Sequence, residues 1–309
     1  KDAVAEIGFS IYRTQEMEEL VQWMHDYNKT ANENDKLKFY GFDMQRYDNS
    51  KDLLFMYLDK VDSALSNEYR KLLDDLNDET VYDQSKEKVK KALANVNKLM
   101  ETMTLQKESY IAKTNTKEYE FAYKCAQSIK ENATLQGTNI SYAQARDEYM
   151  KNKIDWILSY ENNQKIFITG HNGHIEKTSA TYGSTSMGNR LAESYGAQYY
   201  AIGTDFREST FNAVTSKGTA KVLTVQHNND LTKLFTELND NINFIDFASA
   251  SQDPQINTIL QSTQSMGNIG AEFNSWQKIS KKFYTLKMTP AQAYDALIFV
   301  NTATPTTKR

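Results

Sequence analysis

The longest stretch without a helix-breaking residue is the feature that most constrains this chain. Neither glycine nor proline occurs between Gly41 and Gly137, and a stretch of that length without helix breakers predicts helices. Apolar residues repeat at helical spacing in two parts of it, residues 54–65 and 89–103. Because the heptads are not sustained and Lys and Glu crowd the positions between, packed helices are favoured over a coiled-coil partner surface. We therefore predict a helical insertion subdomain over residues 48–140.

Helices alternate with short apolar runs on both sides of that subdomain. The predicted strands cover residues 37–42, 165–169, 198–206, 221–226, 244–247 and 296–300. The predicted helix ends are marked by Thr14, by Ser141 with Gln144 in a capping box, by Ser186, and by Gly196 in a left-handed cap. This alternation predicts an α/β fold with a mostly parallel central sheet flanked by helices, built from residues 1–47 and 141–309.

The composition excludes several functional classes. The 309 residues include 36 Lys and Arg against 40 Asp and Glu, with a net charge of -4, so no basic stripe is present for a nucleic-acid partner. No run approaches the ~18 consecutive apolar residues of a membrane span. The single Cys125 cannot form an intramolecular disulfide. The opening residues lack the apolar core of a signal peptide, so a cytoplasmic and a secreted location both stay open, as does the oligomeric state.

The strongest candidate for chemistry is a glycine-rich loop with two histidines, Gly170-His171-Asn172-Gly173-His174. It follows a predicted strand directly, and ligands of open α/β sheets bind beyond the carboxyl ends of strands. Imidazole can act as an acid or a base near neutral pH. The alternative is a surface loop with solvated histidines.

Metal binding is a competing interpretation of the same loop. His171, His174 and Glu176 could ligate zinc or manganese. However, His-x-x-His on a loop lacks the i, i+4 helical spacing of the H-E-x-x-H metalloproteases, and no further ligand is defined. We therefore expect no metal and no other cofactor.

Further polar residues lie near predicted element ends. Asp43 and Gln45 follow the strand at 37–42 and could bind substrate there, or could serve the turn. Arg146 and Asp147, in the first turns of the helix after Ser141, could orient a histidine or a substrate carbonyl; alternatively, Asp147 complements the helix dipole and pairs with Lys151. Arg13 could bind either a substrate oxygen or a surface carboxylate.

Six segments, taken in order, resemble the erythromycin esterase family. They are Tyr12-Arg13-Thr14-Gln15-Glu16 (family W-R-T-x-E), Gly41-Phe42-Asp43-Met44-Gln45 (G-F-D-x-Q), Arg146 to Met150 with Asn152 and Trp156 (R-D-x-x-M with a following Asn and Trp), Gly170 to His174 (A-H-N-x-H), Met187-Gly188 with Tyr195-Gly196 and the run from Tyr199 to Phe206 (M-G, Y-G and the strand after them), and Tyr294 to Phe299 (F-D-A-L-I-F). Each segment alone is a weak match, but six in the right order span most of the chain.

This resemblance implies a hydrolase that opens an ester or a macrolide lactone by activating water without a metal, as in antibiotic resistance in bacteria. It places His171 and His174 in the active site. It also makes Arg13, Asp43, Gln45, Arg146 and Asn172 candidates for substrate binding, with Arg13 or a protonated His174 as a donor to the developing oxyanion.

The sequence departs from the family pattern in one respect. The family's N-terminal G-E-x-x-H-G motif, which carries its proposed general base, would lie before Lys1, and no glycine here is followed by Glu. The chain is then either a truncated piece or a relative that lost its base, and we expect weak or no turnover. A non-catalytic relative that binds a polar or carbohydrate ligand and a histidine-based metallohydrolase remain as alternatives.

Overall fold

The computed structural model describes residues 3–180, 184–270 and 272–309, which group into two units. The first unit contains the residues up to Arg13 and Leu20–Ile166. The second contains Thr14–Glu19 and Phe167–Arg309. No helix among the described residues is both long and apolar enough to cross a membrane.

The first unit is helical. Its helices are α1 (Gln15–Thr30, whose first turn belongs to the second unit), α2 (Asp48–Val61), α3 (Ser63–Leu72), α4 (Lys86–Leu105), α5 (Lys107–Lys113), α6 (Thr116–Gly137) and α7 (Tyr142–Tyr160). Residues of the two predicted apolar runs, such as Leu54, Leu58 and Val96, are fully buried in one core between these helices. The helices predicted from these two runs are therefore confirmed.

The second unit contains a four-stranded sheet with short helices around it. Its strands are β1 (Ile202–Val214), β2 (Ala220–Gln226), β3 (Ile242–Asp246), β4 (Gln264–Gly267), β5 (Thr285–Met288) and β6 (Ala296–Ala303). Its helices are α8 (Asn172–Ile175), α9 (Met187–Tyr195), α10 (Asp230–Thr236), α11 (Phe247–Ala250), α12 (Pro254–Gln261) and α13 (Pro290–Ala293). The α/β class with a helical subdomain is confirmed.

The sheet order is β2-β1-β6-β3, and β4 pairs with β5 in a separate antiparallel ribbon. The sheet is mixed, not mostly parallel, because only β1 and β6 run parallel, while β2 and β3 pair antiparallel at the edges. One face of the sheet is covered by a core that includes Leu231, Phe235, Leu260, Leu297 and Phe299. The rings of Phe235 and Phe299 stack at 4.8 Å between centroids, which ties α10 to β6.

Two predicted strands, at residues 37–42 and 165–169, are wrong. Both segments lack strand structure, and Phe167 is 89% exposed. The backbone N–H and carbonyl of Leu37 bond to the side-chain amide of Asn28 at 2.7 and 2.8 Å, not to a neighbouring strand. An apolar pattern predicts an extended backbone, but a strand also requires a partner for its hydrogen bonds.

The predicted helix ends have mixed outcomes. Thr14 Oγ1 accepts from the backbone N–H of Met17 at 3.2 Å, and Ser186 Oγ accepts from that of Asn189 at 3.0 Å, so both caps are confirmed. Gly196 ends α9 with a φ of 52°, the left-handed region that favours glycine. Ser141 precedes α7 without a side-chain cap hydrogen bond, so the predicted capping box is wrong.

Candidate active site

His171 is the N-cap residue of the short helix α8. Its Nδ1 accepts the backbone N–H of Gly173 at 3.2 Å, and its Nε2 lies 3.0 Å from the carbonyl oxygen of Ile269. A backbone N–H can only donate and a carbonyl can only accept. This network therefore assigns the ring proton to Nε2 and leaves Nδ1 as the acceptor.

His174 lies one turn further along the same helix. Its backbone N–H donates to the carbonyl of His171 at 2.8 Å. The two imidazole rings lie edge to face, with centroids 6.4 Å apart and an interplanar angle of 74°. His171 is exposed and His174 is half-buried. The structure thus brings the two predicted histidines together at one surface.

Asn172 anchors this loop to β1. Its Nδ2 donates to the carbonyl of Thr204 at 2.7 Å, and its Oδ1 accepts the Thr204 N–H at 3.1 Å and hydroxyl at 3.2 Å. The amide therefore bonds to the strand backbone as a neighbouring strand would. This contact lies before Glu208 in the sequence, the residue at which β1 begins to pair with β2.

The histidine loop, residues 170–174, and α8 pack closely against α9. A Cβ on Gly188 would lie 2.3 Å from the backbone carbon and oxygen of Ile175, so α9 can pass under α8 only with glycine there. The hydroxyl of Tyr199 donates to the Ile175 carbonyl at 2.6 Å, and Ser186 Oγ donates to the Glu176 carbonyl at 2.9 Å. Burial, then the charge of Asp295, raises the pKa of Tyr199, which keeps this hydroxyl a donor.

Glu176 does not join the histidines as a ligand set. Its carboxylate is buried, and Oε2 accepts both the N–H and the hydroxyl of Thr178 at 2.6 Å. The ring nitrogens of His171 face Gly173 and Ile269. Among residues 3–180, 184–270 and 272–309, no three His, Cys, Asp or Glu side chains are grouped so that they could hold a metal ion.

A second polar cluster, in the first unit, contains three of the predicted binding residues. Arg146 Nη2 donates to Asp43 Oδ2 at 2.7 Å and its Nε to Oδ1 at 3.3 Å, a two-pronged contact with both side chains largely buried. Burial acts to lower the pKa of Arg146, but the hydrogen bond and charge of Asp43 outweigh it and raise the pKa. Gln45 Nε2 donates to the hydroxyl of Tyr142 at 2.6 Å.

Tyr12 and Arg13 also belong to the first unit. Tyr12 lies near the Asp43 and Arg146 pair, and burial followed by the charge of Asp43 raises its pKa. Arg13 is exposed, and its backbone N–H donates to the carbonyl of Ser10 at 3.1 Å.

The sequence did not predict a buried polar cluster at β1, which consists of Asp205, His227 and Asn229. Asp205 Oδ1 accepts from His227 Nε2 at 2.6 Å, and both side chains are fully buried. Asn229 Nδ2 lies 3.3 Å from Asp205 Oδ2. His227 belongs to no motif, but an aspartate inside the predicted strand at 198–206 is a signal that could have revealed the group.

Comparison with known proteins places the chain in a family. The sequence profile of erythromycin esterase matches residues 1–303. No curated protein matches the sequence. A Bacillus cereus protein of solved structure is 22% identical, with a TM-score of 0.78 over 96% of this chain and 73% of that one.

Two other solved structures share the fold. A succinoglycan biosynthesis protein is 18% identical, with a TM-score of 0.79 over 96% of this chain and 73% of its own. A histidine-to-asparagine mutant of the erythromycin esterase EreC, in its open conformation, is 15% identical with a TM-score of 0.64 over 93% of this chain and 73% of its own. At these identities the structures show the fold alone, whereas the profile covers nearly the whole sequence: the chain belongs to the erythromycin esterase family.

Proposed function

We propose that this protein hydrolyses an ester or lactone bond of a small molecule by metal-independent attack of water, with His171 and His174 at the reacting centre. The observation that carries the proposal is the hydrogen bonding of His171. Its Nδ1 accepts from the Gly173 N–H, so its Nε2 carries an N–H, which donates to the Ile269 carbonyl, and the residue is exposed. A fixed N–H donor at an exposed loop is what a developing oxyanion requires.

In the proposed mechanism, His171 polarises the carbonyl. Its Nε2–H now donates to the Ile269 carbonyl, and a substrate carbonyl oxygen would take that place. The bond strengthens as the oxygen gains negative charge in the tetrahedral intermediate. Removing one such donor typically lowers kcat by about 10²- to 10³-fold.

His174 is proposed as the group that accepts a proton from the attacking water. Its ring lies beside that of His171, with centroids 6.4 Å apart, so a water near it would stand close to a carbonyl held by His171. General base catalysis contributes about 10²- to 10⁴-fold. The proton would then pass to the leaving alkoxide, which completes the cleavage of the C–O bond.

Within the first unit, the polar cluster is proposed to bind a polar group of a ligand. Arg146 is held in place by its two contacts to Asp43, which orients its guanidinium group. Gln45 and Arg13 supply further hydrogen-bond donors. Asn172 is proposed to act by holding the histidine loop on β1.

The proposed substrate class follows the family. EreC is an erythromycin esterase by name, and a macrolide lactone is therefore the first substrate to test, with inactivation of the antibiotic as the consequence. Smaller lactones and activated aryl esters complete the panel, because the site residues alone do not select one ring size.

The test is hydrolysis of this panel by the wild-type chain and by His171→Ala and His174→Ala. A fluorogenic ester and long incubations are used so that slow turnover is also detected. His25→Ala is the matched control, since His25 is exposed on α1 beside Asp26. Activity should fall at least 10²-fold in both loop variants, persist in the control and survive a chelator.

Two outcomes would overturn the proposal. Turnover that both loop variants retain would show that the histidines take no part. A polar or carbohydrate ligand that binds without turnover, with the same affinity in His171→Ala, would favour the non-catalytic binding relative.

A further inference from the structure

Between two buried aromatic residues of the second unit, the chain forms an exposed segment, residues 274–283. Phe273 and Tyr284 anchor its ends, because both are buried in one core and their rings lie edge to face with centroids 6.2 Å apart. The Tyr284 hydroxyl donates to the carbonyl of Gln226 at 2.9 Å, and the ring of Phe273 meets that of Phe211 at 5.4 Å. Both ends of the segment are therefore fixed to the strands β1 and β2.

The segment begins with a 3₁₀ turn, Ser275–Ile279. The N–H of Asn274 donates to Gln277 Oε1 at 2.6 Å, and the N–H of Gln277 donates to the carbonyl of Asn274 at 2.9 Å. Asn274 Oδ1 also accepts from the N–H of Ser216 at 3.2 Å and from its hydroxyl at 3.1 Å. Polar groups hold the turn in place, so its conformation does not require its large apolar side chains to be buried.

Three of those apolar side chains form an exposed apolar patch, which consists of Trp276, Ile279 and Phe283. Trp276 and Ile279 lie three residues apart in the 3₁₀ turn, which has three residues per turn, so their side chains share one side. The ring of Phe283 meets that of Trp276 edge to face with centroids 4.9 Å apart. Ile279 is 86% exposed and Trp276 is 55% exposed. A cluster of large apolar side chains held in water marks an interaction surface.

Lysines surround the apolar patch. Residues 275–287 contain four lysines and neither Asp nor Glu, whereas the whole chain has a net charge of -4. The four lysines are all exposed: Lys278, Lys281, Lys282 and Lys287. The ammonium group of Lys282 lies 5.1 Å from the centre of the Phe283 ring. Along the sequence, the nearest carboxylate is that of Glu272, which accepts from Asn274 Nδ2 at 3.3 Å. Positive charge and apolar surface are therefore presented together.

An anionic lipid surface fits this combination better than the other possible partners. A second copy bound through a two-fold axis would bring the same lysines against each other. The cores of protein–protein interfaces are depleted of lysine, and a nucleic acid would offer no apolar site for Ile279. At a bilayer surface, tryptophan and aliphatic side chains enter the interface while lysines bind the anionic headgroups.

We propose that residues 275–287 dock this protein on the surface of a membrane that contains anionic lipid. The apolar patch enters the boundary between headgroups and acyl chains, about 5–10 Å deep, and the lysines contact the phosphates around it. Each lysine near such a surface increases the affinity about five-fold. Because salt screens this attraction, binding weakens as the ionic strength rises. The contact is peripheral, since the segment lies on the membrane and does not cross it.

The first test is co-sedimentation of the wild-type chain with vesicles. Phosphatidylcholine vesicles that contain phosphatidylglycerol should bind the protein, and vesicles of phosphatidylcholine alone should bind it far more weakly. Added salt should release part of the bound protein. The assay needs no substrate, so its result does not depend on the proposed function.

Two kinds of variant separate the apolar and the charged contributions. Ile279→Gln, which keeps the charge and changes an exposed side chain, should lower the vesicle partition coefficient by roughly ten-fold. Leu105→Gln is its matched control, because Leu105 is 83% exposed at the end of α4. It should bind vesicles like the wild type.

The charged contribution is measured with Lys278→Gln combined with Lys282→Gln, which should bind roughly 25-fold more weakly. Lys281 is left unchanged because its Nζ donates to Asn228 Oδ1 at 2.9 Å. Lys90→Gln combined with Lys91→Gln removes the same charge from exposed positions on α4 and should bind like the wild type.

A second measurement reports insertion directly. Ile279→Cys is labelled with an environment-sensitive fluorophore, and Cys125 does not compete for the reagent because it is buried. Anionic vesicles should shift the emission to the blue, as expected for a probe that leaves water. Thermal unfolding of each variant should match that of the wild type, since every altered side chain is exposed.

Three outcomes would overturn the proposal. The first is no binding of the wild type to anionic vesicles. The second is binding that both Ile279→Gln and the double lysine variant retain in full. The third is binding with no shift in the emission of the probe at position 279, which would show adsorption by charge alone and leave an acidic protein as the better partner for the apolar patch.

Discussion

Gly188→Ala is expected to push α8, which carries His174, away from α9. The added Cβ would lie 2.3 Å from the backbone carbon and oxygen of Ile175 and 2.6 Å from the carbonyl oxygen of Glu176. Ordinary contacts of this kind lie at about 3.5 Å, so α8 and α9 must separate by roughly 1 Å. The obstructing atoms are backbone atoms and cannot rotate away. Overpacking of this type costs about 1–3 kcal/mol, and a displacement of about 1 Å can lower a catalytic rate by roughly 10²-fold.

Two assays check this prediction. Thermal unfolding should show a lower Tm, by roughly 2–4 °C for each kcal/mol in a unit of this size, and hydrolysis of an ester should fall in parallel. Gly170→Ala is the matched control, because its Cβ would meet only the Ile175 Cγ2 methyl at 3.4 Å and the family has alanine there. If Gly188→Ala melted and reacted like the wild type, the argument that α9 fixes the histidine geometry would be refuted.

Three further predictions concern the first unit. Burial lowers the pKa of Lys153 to about 8, below its unfolded value of about 10.4, so between pH 8 and about 10.4 the unfolded state binds more protons than the folded state. The free energy of unfolding should therefore rise with pH across this range, by up to about 3 kcal/mol. In urea titrations, the free energy of unfolding of Lys153→Met should depend less on pH. Asp43→Ala should destabilise by about 1–3 kcal/mol in the same assay, because Arg146 loses its carboxylate partner, with Asp43→Asn losing less; equal stability of all three proteins would contradict this. Burial raises the pKa of the Cys125 thiol to about 11, so a thiol reagent should label the native protein at the rate of its unfolding, and fast labelling at pH 7 without denaturant would show that the thiol is accessible.

The helices could be predicted because their determinants are local. Apolar spacing and the absence of Gly and Pro between Gly41 and Gly137 act through hydrogen bonds that close within four residues. The caps at Thr14 and Ser186 are equally local. Strands at 221–226 and 296–300 were predicted correctly, because buried apolar runs with β-branched residues favour them.

The failures share one physical cause. Residues 37–42 and 165–169 have the apolar pattern of strands, but pairing depends on which segment comes alongside, and sequence pattern carries no such information. The mixed direction of the sheet was missed for the same reason. In the candidate site, the sequence indicated His171 and His174 but not their proton positions.

The sequence by itself determined the helical subdomain, the α/β class, the family and the two histidines on their glycine-rich loop, because each of these is encoded by neighbouring residues or by motifs in order. Only the tertiary structure decided that Asn172 pairs with β1, that Glu176 turns toward Thr178, and that Asp205 meets His227 and Gly267. The contact from Asp205 to Gly267 joins residues 62 positions apart. Such contacts depend on burial and on the choice of strand partners, which the whole fold decides together.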